Sequence, residues 1–439
     1  MNLRAAKEWL KQELPDLQQA GVLDSATVQR LRDYYALGDV SRSVSIGKLI
    51  LGLLGATLIG LGVVLLFAHN WELLTRPQRT VLSFLPLVSG QALVLFAHLK
   101  RPLSEPWREG SALFLLISIG ACIALISQTY HLGGRLDDFL FVWFWLSLPL
   151  LYVINSSVAA SAVVLLFLSW AIDIRYHNFE VVWGWIMLLA VQPFAWHQFI
   201  KAPELNRTGI LQWLTIPALF LMVGHTMERS ESGLWIVVYG LMLTCMYFFS
   251  VLSQSSSALV RQPAKMVSMF GMVGLSLVLT YGDVWHHSYR PEDILNSTGY
   301  LFAVLFTGLL ITVVVWADKR DLIRGQHAHY PFMLFPVMIW LSYFSRSYAA
   351  MADFNTILFN LYLFVLGIML IRHGIQKAVV SSLNYGLTIL ALLIAVRFFD
   401  SDIPFTVKGI VFILFGAGFL YANFVLKKRL NDAGYQEGA

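Results

Sequence analysis

Charge is scarce in this chain. Only 13% of its 439 residues are Asp, Glu, Lys or Arg, against about 25% in soluble globular domains. With 57% hydrophobic residues and a mean hydropathy of +0.66, too little polar surface exists to face water all round. A soluble globule of this size is excluded. Thiols are scarce too: Cys122 and Cys245 both sit in apolar runs, where a thiol serves as a small hydrophobe, which argues against a disulfide framework or a cysteine zinc site. No Ser/His/Asp set, HExxH zinc signature or phosphate loop is present, and Gly133 and Gly134 lack the strand, helix and lysine that a phosphate loop needs. Asp283 and His287 are one helical turn apart with His286 adjacent, but spacing supplies no third ligand. Enzymatic activity, a metal and a cofactor are therefore not expected.

What the chain does have is length in apolar runs. From Ile46 almost to the C-terminus, stretches of the length needed to cross hydrocarbon, about 20 residues, recur without the alternation of barrel strands. The fold class is all-α, a polytopic transmembrane bundle. Fourteen spans are expected, centred near Ala56, Gly90, Gly120, Leu146, Leu165, Leu189, Pro217, Leu241, Gly274, Leu305, Val337, Tyr362, Leu390 and Gly416. Residues 44–427 form this membrane domain, and 428–439 a cytoplasmic tail. The pair at 139–154 and 158–172 is short, hinged at Asn155, Ser156 and Ser157. One helix over 139–172 would reach roughly 50 Å, so a hairpin is expected.

Residues 1–43 are too charged for a secretory signal and read as a soluble cytoplasmic helical segment. Leu3, Ala6, Leu10 and Leu14 recur at helical spacing, a turn runs from Pro15 to Ala20, and a last helix carries Val28, Leu31 and Tyr35 with Asp24 or Ser25 as its cap. So short a segment buries little, which points to docking on the membrane domain or a partner.

The net charge of +5 has a topological explanation. With the N-terminus inside, 22 of the 31 basic residues fall in cytoplasmic segments and 9 outside, as the positive-inside rule requires. Lipid is then the partner that the charge serves, and no nucleic-acid role is expected.

Polar residues gather at the outer ends of the spans. His69, Asn70, Glu72, Gln128, Tyr130, His131, Asp173, Asp283 and Arg397 are candidates for an outward-facing vestibule; alternatively they are the polar ends that every span presents to water. The middles of the spans hold almost no carboxylate, which weakens an ion-driven carrier. Gly52, Ala56 and Gly60 place a small-residue stripe on one face of the first span, for close helix packing.

Trp9 and Gly21–Asp24 in the soluble opening, a glycine-rich first span ending in Ala68, His69, Asn70 and Trp71, and the segment Ser127–Gly133 running into Phe139, Leu140 and Trp143 together resemble a bacterial family of multi-pass inner-membrane proteins of unassigned function. The resemblance implies a bacterial inner membrane and, in some members, a neighbouring membrane-anchored partner; it supplies no catalytic residues. Three functions stay open: a transporter or flippase-like permeation protein, a non-transporting scaffold or sensor docking partners through its N-terminal helices, and an intramembrane enzyme.

Overall fold

The computed structural model describes Leu10, 13–14, 17–18, 22–35, 73–101, 104–173, 178–201, 206–227, 234–253, 262–285, 298–322, 329–345, 351–377, 379–398 and scattered positions within 404–424. The first expected span with Gly52, Ala56 and Gly60, and the rim residues His69, Asn70 and Glu72, lie outside the described residues. The chain divides into two units, residues 1–79 and 80–439.

In the first unit, helix α1 (Ser25–Tyr35) begins where expected, and Asp24 caps it: its carboxylate accepts the Thr27 N–H at 3.3 Å. Hydrogen bonding from Thr27 holds the Asp24 carboxyl below the usual carboxylate range. Leu14 and Val28 are buried against Leu10, Leu23 and Leu31, so the spacing did mark an apolar face.

The second unit is built of helices α2 (Arg76–Lys100, which starts just before the boundary), α3 (Glu105–Tyr130), α4 (Leu136–Ile154), α5 (Ser157–Asp173), α6 (Asn178–Lys201) and α7 (Asn206–Met227). It continues through α8 (Trp235–Leu252), α9 (Pro263–Leu279), α10 (Thr298–Lys319), α11 (Tyr330–Ser345), α12 (Ala352–Lys377) and α13 (Val380–Phe398). No strand occurs among the described residues. Twelve of the fourteen expected centres, Gly90 to Leu390, fall inside α2–α13. Eight of these helices (α2, α3, α4, α7, α8, α10, α12 and α13) are long and apolar enough to cross a membrane. The apolar helices α5, α9 and α11 are shorter, and α6 is diluted by Glu180, Gln192, His197 and Gln198. Among the described residues, length and apolarity therefore support eight spans, short of the fourteen expected for the whole chain.

The doubtful region is a hairpin. Asn155 adopts a left-handed conformation (φ 54°) that ends α4, and α5 starts two residues later, packed along it. Asparagine tolerates that conformation better than most residues, which is why the hinge sits there.

Two cores result. In the first, α5 packs against α3, α4, α6 and α7, burying Phe144, Leu151, Val163, Phe167 and Met187. In the second, α8 is uncharged, buried around its circumference and surrounded by α7, α9, α10 and α11, with Val237, Phe248, Phe335, Ile339 and Phe359 at the centre. Helix α7 serves both: Ala218 and Met222 pack into the first core, Val223 and Met227 into the second. Lipid tails are as apolar as these side chains, so close contact, not water exclusion, holds the helices together.

Glycines set the closest contacts. At Gly120 on α3 a Cβ would lie 2.4 Å from the Trp143 ring, whose Nε1–H donates to the Leu116 carbonyl at 2.8 Å. Between α12 and α13, a Cβ at Gly374 would lie 2.6 Å from the Leu383 nitrogen, and one at Gly386 2.7 Å from the Gly367 carbonyl oxygen. Gly120→Ala should displace the Trp143 indole and lower stability by about 1–3 kcal/mol, the usual cost of overpacking. Gly110→Ala, with nothing within 4 Å of the added carbon, should not. Thermal unfolding of both variants in detergent, compared with the parent, checks the difference.

Candidate functional site

A cavity of about 400 Å³ opens between α2, α3 and α4. On α2 and at the residue just past its end it is lined by Gln91, Val94, Leu95, His98 and Arg101, a stripe at three- and four-residue spacing that keeps one face turned to it. Ten residues of helix make this stripe about 15 Å long. Helix α3 contributes Arg108, Ser111 and Leu115; α4 contributes Pro149, Leu150, Val153 and Ile154. Pro149 has no N–H for the Trp145 carbonyl, which loosens α4 where it borders the cavity. The walls are mostly aliphatic, and His98, Arg101 and Arg108 gather at the end where α2 turns into α3.

That cationic end rests on a half-buried network. Arg108 Nη2 lies 3.4 Å from Glu109 and 3.9 Å from Glu105; Arg207, from the start of α7, lies 3.1 Å from Glu105 and 3.9 Å from Glu109. The Glu109 carboxylate also accepts the Ser156 hydroxyl and the backbone N–H groups of Ser157 (3.3 Å) and Val158 (2.9 Å). Ser156 Oγ in turn accepts the Ala159 N–H at 3.1 Å. The first N–H groups of α5, which have no partner within their own helix, are thus met by a carboxylate from α3 and the preceding serine. Gln198 on α6 donates to Asn155 Oδ1 at 3.1 Å. The α2–α3 turn, the α4–α5 hinge and the facing ends of α6 and α7 therefore share one end of the bundle. Glu109→Ala should cost about 1.5–3 kcal/mol, the range for hydrogen bonds to a charged group, and Glu109→Gln less, since its oxygen still accepts. Unfolding midpoints of the two variants give the comparison.

A second polar group joins α8, α9, α11, α12 and α13. Tyr247 Oη and His329 Nδ1 are 2.8 Å apart, and the Tyr247 ring packs on Phe332 at 4.4 Å between centroids. Tyr362 donates to the Pro331 carbonyl, Tyr385 to the Met269 carbonyl, and His373 meets Ser382 at 3.3 Å. Burial pushes His329, just ahead of α11, down to about 4, with the positive charges of Lys265 and His373 adding to the effect. A histidine kept neutral contributes stability that is full above its ordinary value near 6.5 and is lost as pH falls toward 4. Acidification from pH 7 to 5 should therefore lower the unfolding midpoint, and His329→Gln should flatten that dependence.

Among the described residues, those expected at the outer rim take several separate roles. His131, with φ 50°, stops α3: its N–H and that of Leu132 return to the carbonyls of Gln128 (3.4 Å) and Ser127 (3.0 Å). Gln128 is exposed, and Tyr130 Oη meets Thr80 Oγ1 at 3.0 Å. Arg135 pairs with the buried Asp137, and Asp138 returns to the Arg135 N–H at the start of α4. Residues Ser127–Asp138 are thus helix-stop and helix-start chemistry. Arg397 lies with the second core, donating to Thr280 Oγ1 at 3.0 Å and covering the Tyr281 ring at 4.9 Å; Asp283 is exposed on the short 3₁₀ turn Gly282–Val284 beside it in sequence. Asp173 ends α5, its side chain outside the described residues.

Sequence reasoning passed over the cavity. Arg101 and Arg108 entered it only as topological charges, although the helical spacing of Gln91, Val94, His98 and Arg101 was a readable signal.

No curated protein and no solved structure matches the chain. Residues 15–160, which include the helix-stop and helix-start segment and three walls of the cavity, match the family described as Predicted membrane protein (DUF2157), in keeping with the resemblance to multi-pass membrane proteins of unknown function.

Proposed function

We propose that the chain is a flippase-like permeation protein that handles amphiphiles dissolved in the bilayer. The observation that carries this reading is the cavity between α2, α3 and α4, with aliphatic walls and a cationic end, the two chemistries an amphiphile presents. Helix α2 has the smallest buried share among the eight long apolar helices, and Phe84, Leu85, Val88, Phe96 and Leu99 point outward from it. A bilayer-borne ligand would approach along such a surface.

On the same reading the protein crosses a bacterial inner membrane about fourteen times with both termini cytoplasmic. The basic partition then puts the α2–α3 turn and the α4–α5 hinge on the cytoplasmic side. Movement is uncoupled: no Asp, Glu, Lys or Arg lies more than five residues from an end of α2–α13, so these helices have no midplane ion site for a driving gradient. A scaffold reading has its own support in α1, where Tyr34 and Tyr35 pack edge to face and Tyr34 is 82% exposed, a surface suited to a cytoplasmic partner.

Reconstitution tests the permeation reading. In vesicles with fluorophore-labelled phospholipid, a membrane-impermeant reductant quenches only the outer leaflet unless lipid exchanges. Protein-containing vesicles should lose more signal than protein-free ones, and Val153→Trp, which fills the cavity from an exposed position, should slow the loss. Quenching equal to that of protein-free vesicles would overturn the proposal.

A further inference from the structure

We propose that the cavity takes an anionic phospholipid, with its phosphate on Arg101 and Arg108 and an acyl chain along Val94, Leu115 and Leu150, and that Glu109 is the counter-ion holding Arg108 when no lipid is bound. This rests on the permeation reading and names its amphiphile.

Three observations converge. The first is shape and lining: a stripe about 15 Å long runs from Gln91 through Val94 and Leu95 to His98 and Arg101, facing the aliphatic Leu115, Leu150 and Val153, so that an apolar cleft ends in cations as an acyl chain ends in a headgroup. The second is unspent donor capacity. Among the described residues no acceptor meets the buried Nε–H of Arg108, and the Arg101 side chain, exposed at the cavity rim, makes no ion pair. A guanidinium has five donors in a planar fork that suits phosphate, and Arg108 uses it only on carboxylates at 3.4 and 3.9 Å. The third is charge balance: Arg108 and Arg207 offset Glu105 and Glu109, and Arg101, lining the same cavity, adds a positive charge with no carboxylate against it among the described residues.

Exchange of Arg108 from carboxylate to phosphate costs little. Glu109 would keep the Ser156 hydroxyl, the Ser157 and Val158 N–H groups and the positive end of α5, with Arg207 still within 3.9 Å. Glu109 is thus a positioning residue: it aims Arg108 at the cavity and stays satisfied when Arg108 turns to lipid. The aliphatic walls distinguish the occupant from free phosphate, which gains nothing from them.

Native mass spectrometry of the full chain in detergent, titrated with phosphatidylglycerol or phosphatidylcholine of identical acyl chains, reads the site directly. The parent should prefer phosphatidylglycerol by about 10-fold or more, the equivalent of one charge-assisted hydrogen bond. Arg101→Gln and Arg108→Gln should each bring the two lipids toward parity, Arg108→Lys should keep part of the preference, and Lys319→Gln, at the last turn of α10, should keep all of it. Glu109→Gln, which still caps α5 but frees Arg108, should raise the preference a few-fold. If Arg108→Gln fails to fold, the exposed Arg101→Gln decides. Equal binding of both lipids by the parent, an unchanged preference in Arg101→Gln, or displacement of the lipid by millimolar inorganic phosphate would overturn the proposal. Lipid exchange without a headgroup preference sinks this inference and leaves the permeation reading; a headgroup preference without lipid exchange does the reverse.

Discussion

A helix in hydrocarbon satisfies its own backbone except at its ends, where four N–H and four C=O groups have no internal partner and, away from water, each costs several kcal/mol if left bare, on the order of a lost buried hydrogen bond. That requirement organises one end of this bundle. Because α5 follows α4 after a hinge of two residues, the hinge itself offers only Ser156, which accepts the Ala159 N–H. The acceptor for the Ser157 and Val158 N–H groups comes from α3, as the Glu109 carboxylate. Once buried, that carboxylate needs cations, and Arg108 and Arg207 are drawn to it. A single capping demand thus fixes the relation of α3, the α4–α5 hairpin and α7, and leaves an arginine at the mouth of the cavity.

Hydroxyls follow the same economy. Ser118, Ser276 and Ser342 donate to carbonyls four residues back in their own helices, so they bury without seeking a partner across the bundle. Contacts between helices fall to larger groups. Asn360 and Arg397 meet at the Thr280 carbonyl, the tyrosines of α8, α12 and α13 reach backbone carbonyls or His329, and glycine lets α12 and α13 touch. Stability in both cores rests on fit more than on polar glue, as expected where lipid competes equally for apolar surface.

Helix positions were legible in the sequence because apolar run length is a local property: the centres at Gly90 through Leu390 all fall within helices, and Asn155 marked the hinge. The Asp24 cap was legible for the same reason. Span count was less so, since α5, α9 and α11 are apolar but shorter than a simple crossing requires. Which ends meet is a non-local fact. Gln128 and Tyr130 lie at the end of α3 whereas Arg397 lies with the second core, and nothing in their spacing said so. Small-residue contact was expected from Gly52, Ala56 and Gly60, yet among the described residues it is Gly374 and Gly386 that carry it, because the α12–α13 hairpin brings two backbones together. The arginines of the cavity were visible as charge but not as a site, since only folding places Arg101 and Arg108 together at one end of an apolar cavity.

The placement of charge also constrains what kind of permeation the fold can support. Moving an anionic headgroup toward the bilayer centre is opposed by desolvation, and a protein can lower that barrier with a cation at depth or with a polar path beside the lipid. Helices α2–α13 hold their Asp, Glu, Lys and Arg near their ends, and α8, at the heart of the second core, has none. A deep countercharge is therefore absent from these helices, which is why the proposed movement is uncoupled. On that proposal the cavity acts locally: Arg101 and Arg108 would neutralise the headgroup at the rim, Gln91 would supply a polar contact further along the same face, and Pro149 would give α4 a point at which to yield. Such a device relaxes a lipid gradient and cannot build one, so the proposed activity is that of an equilibrating protein whose selectivity is set at the cationic rim.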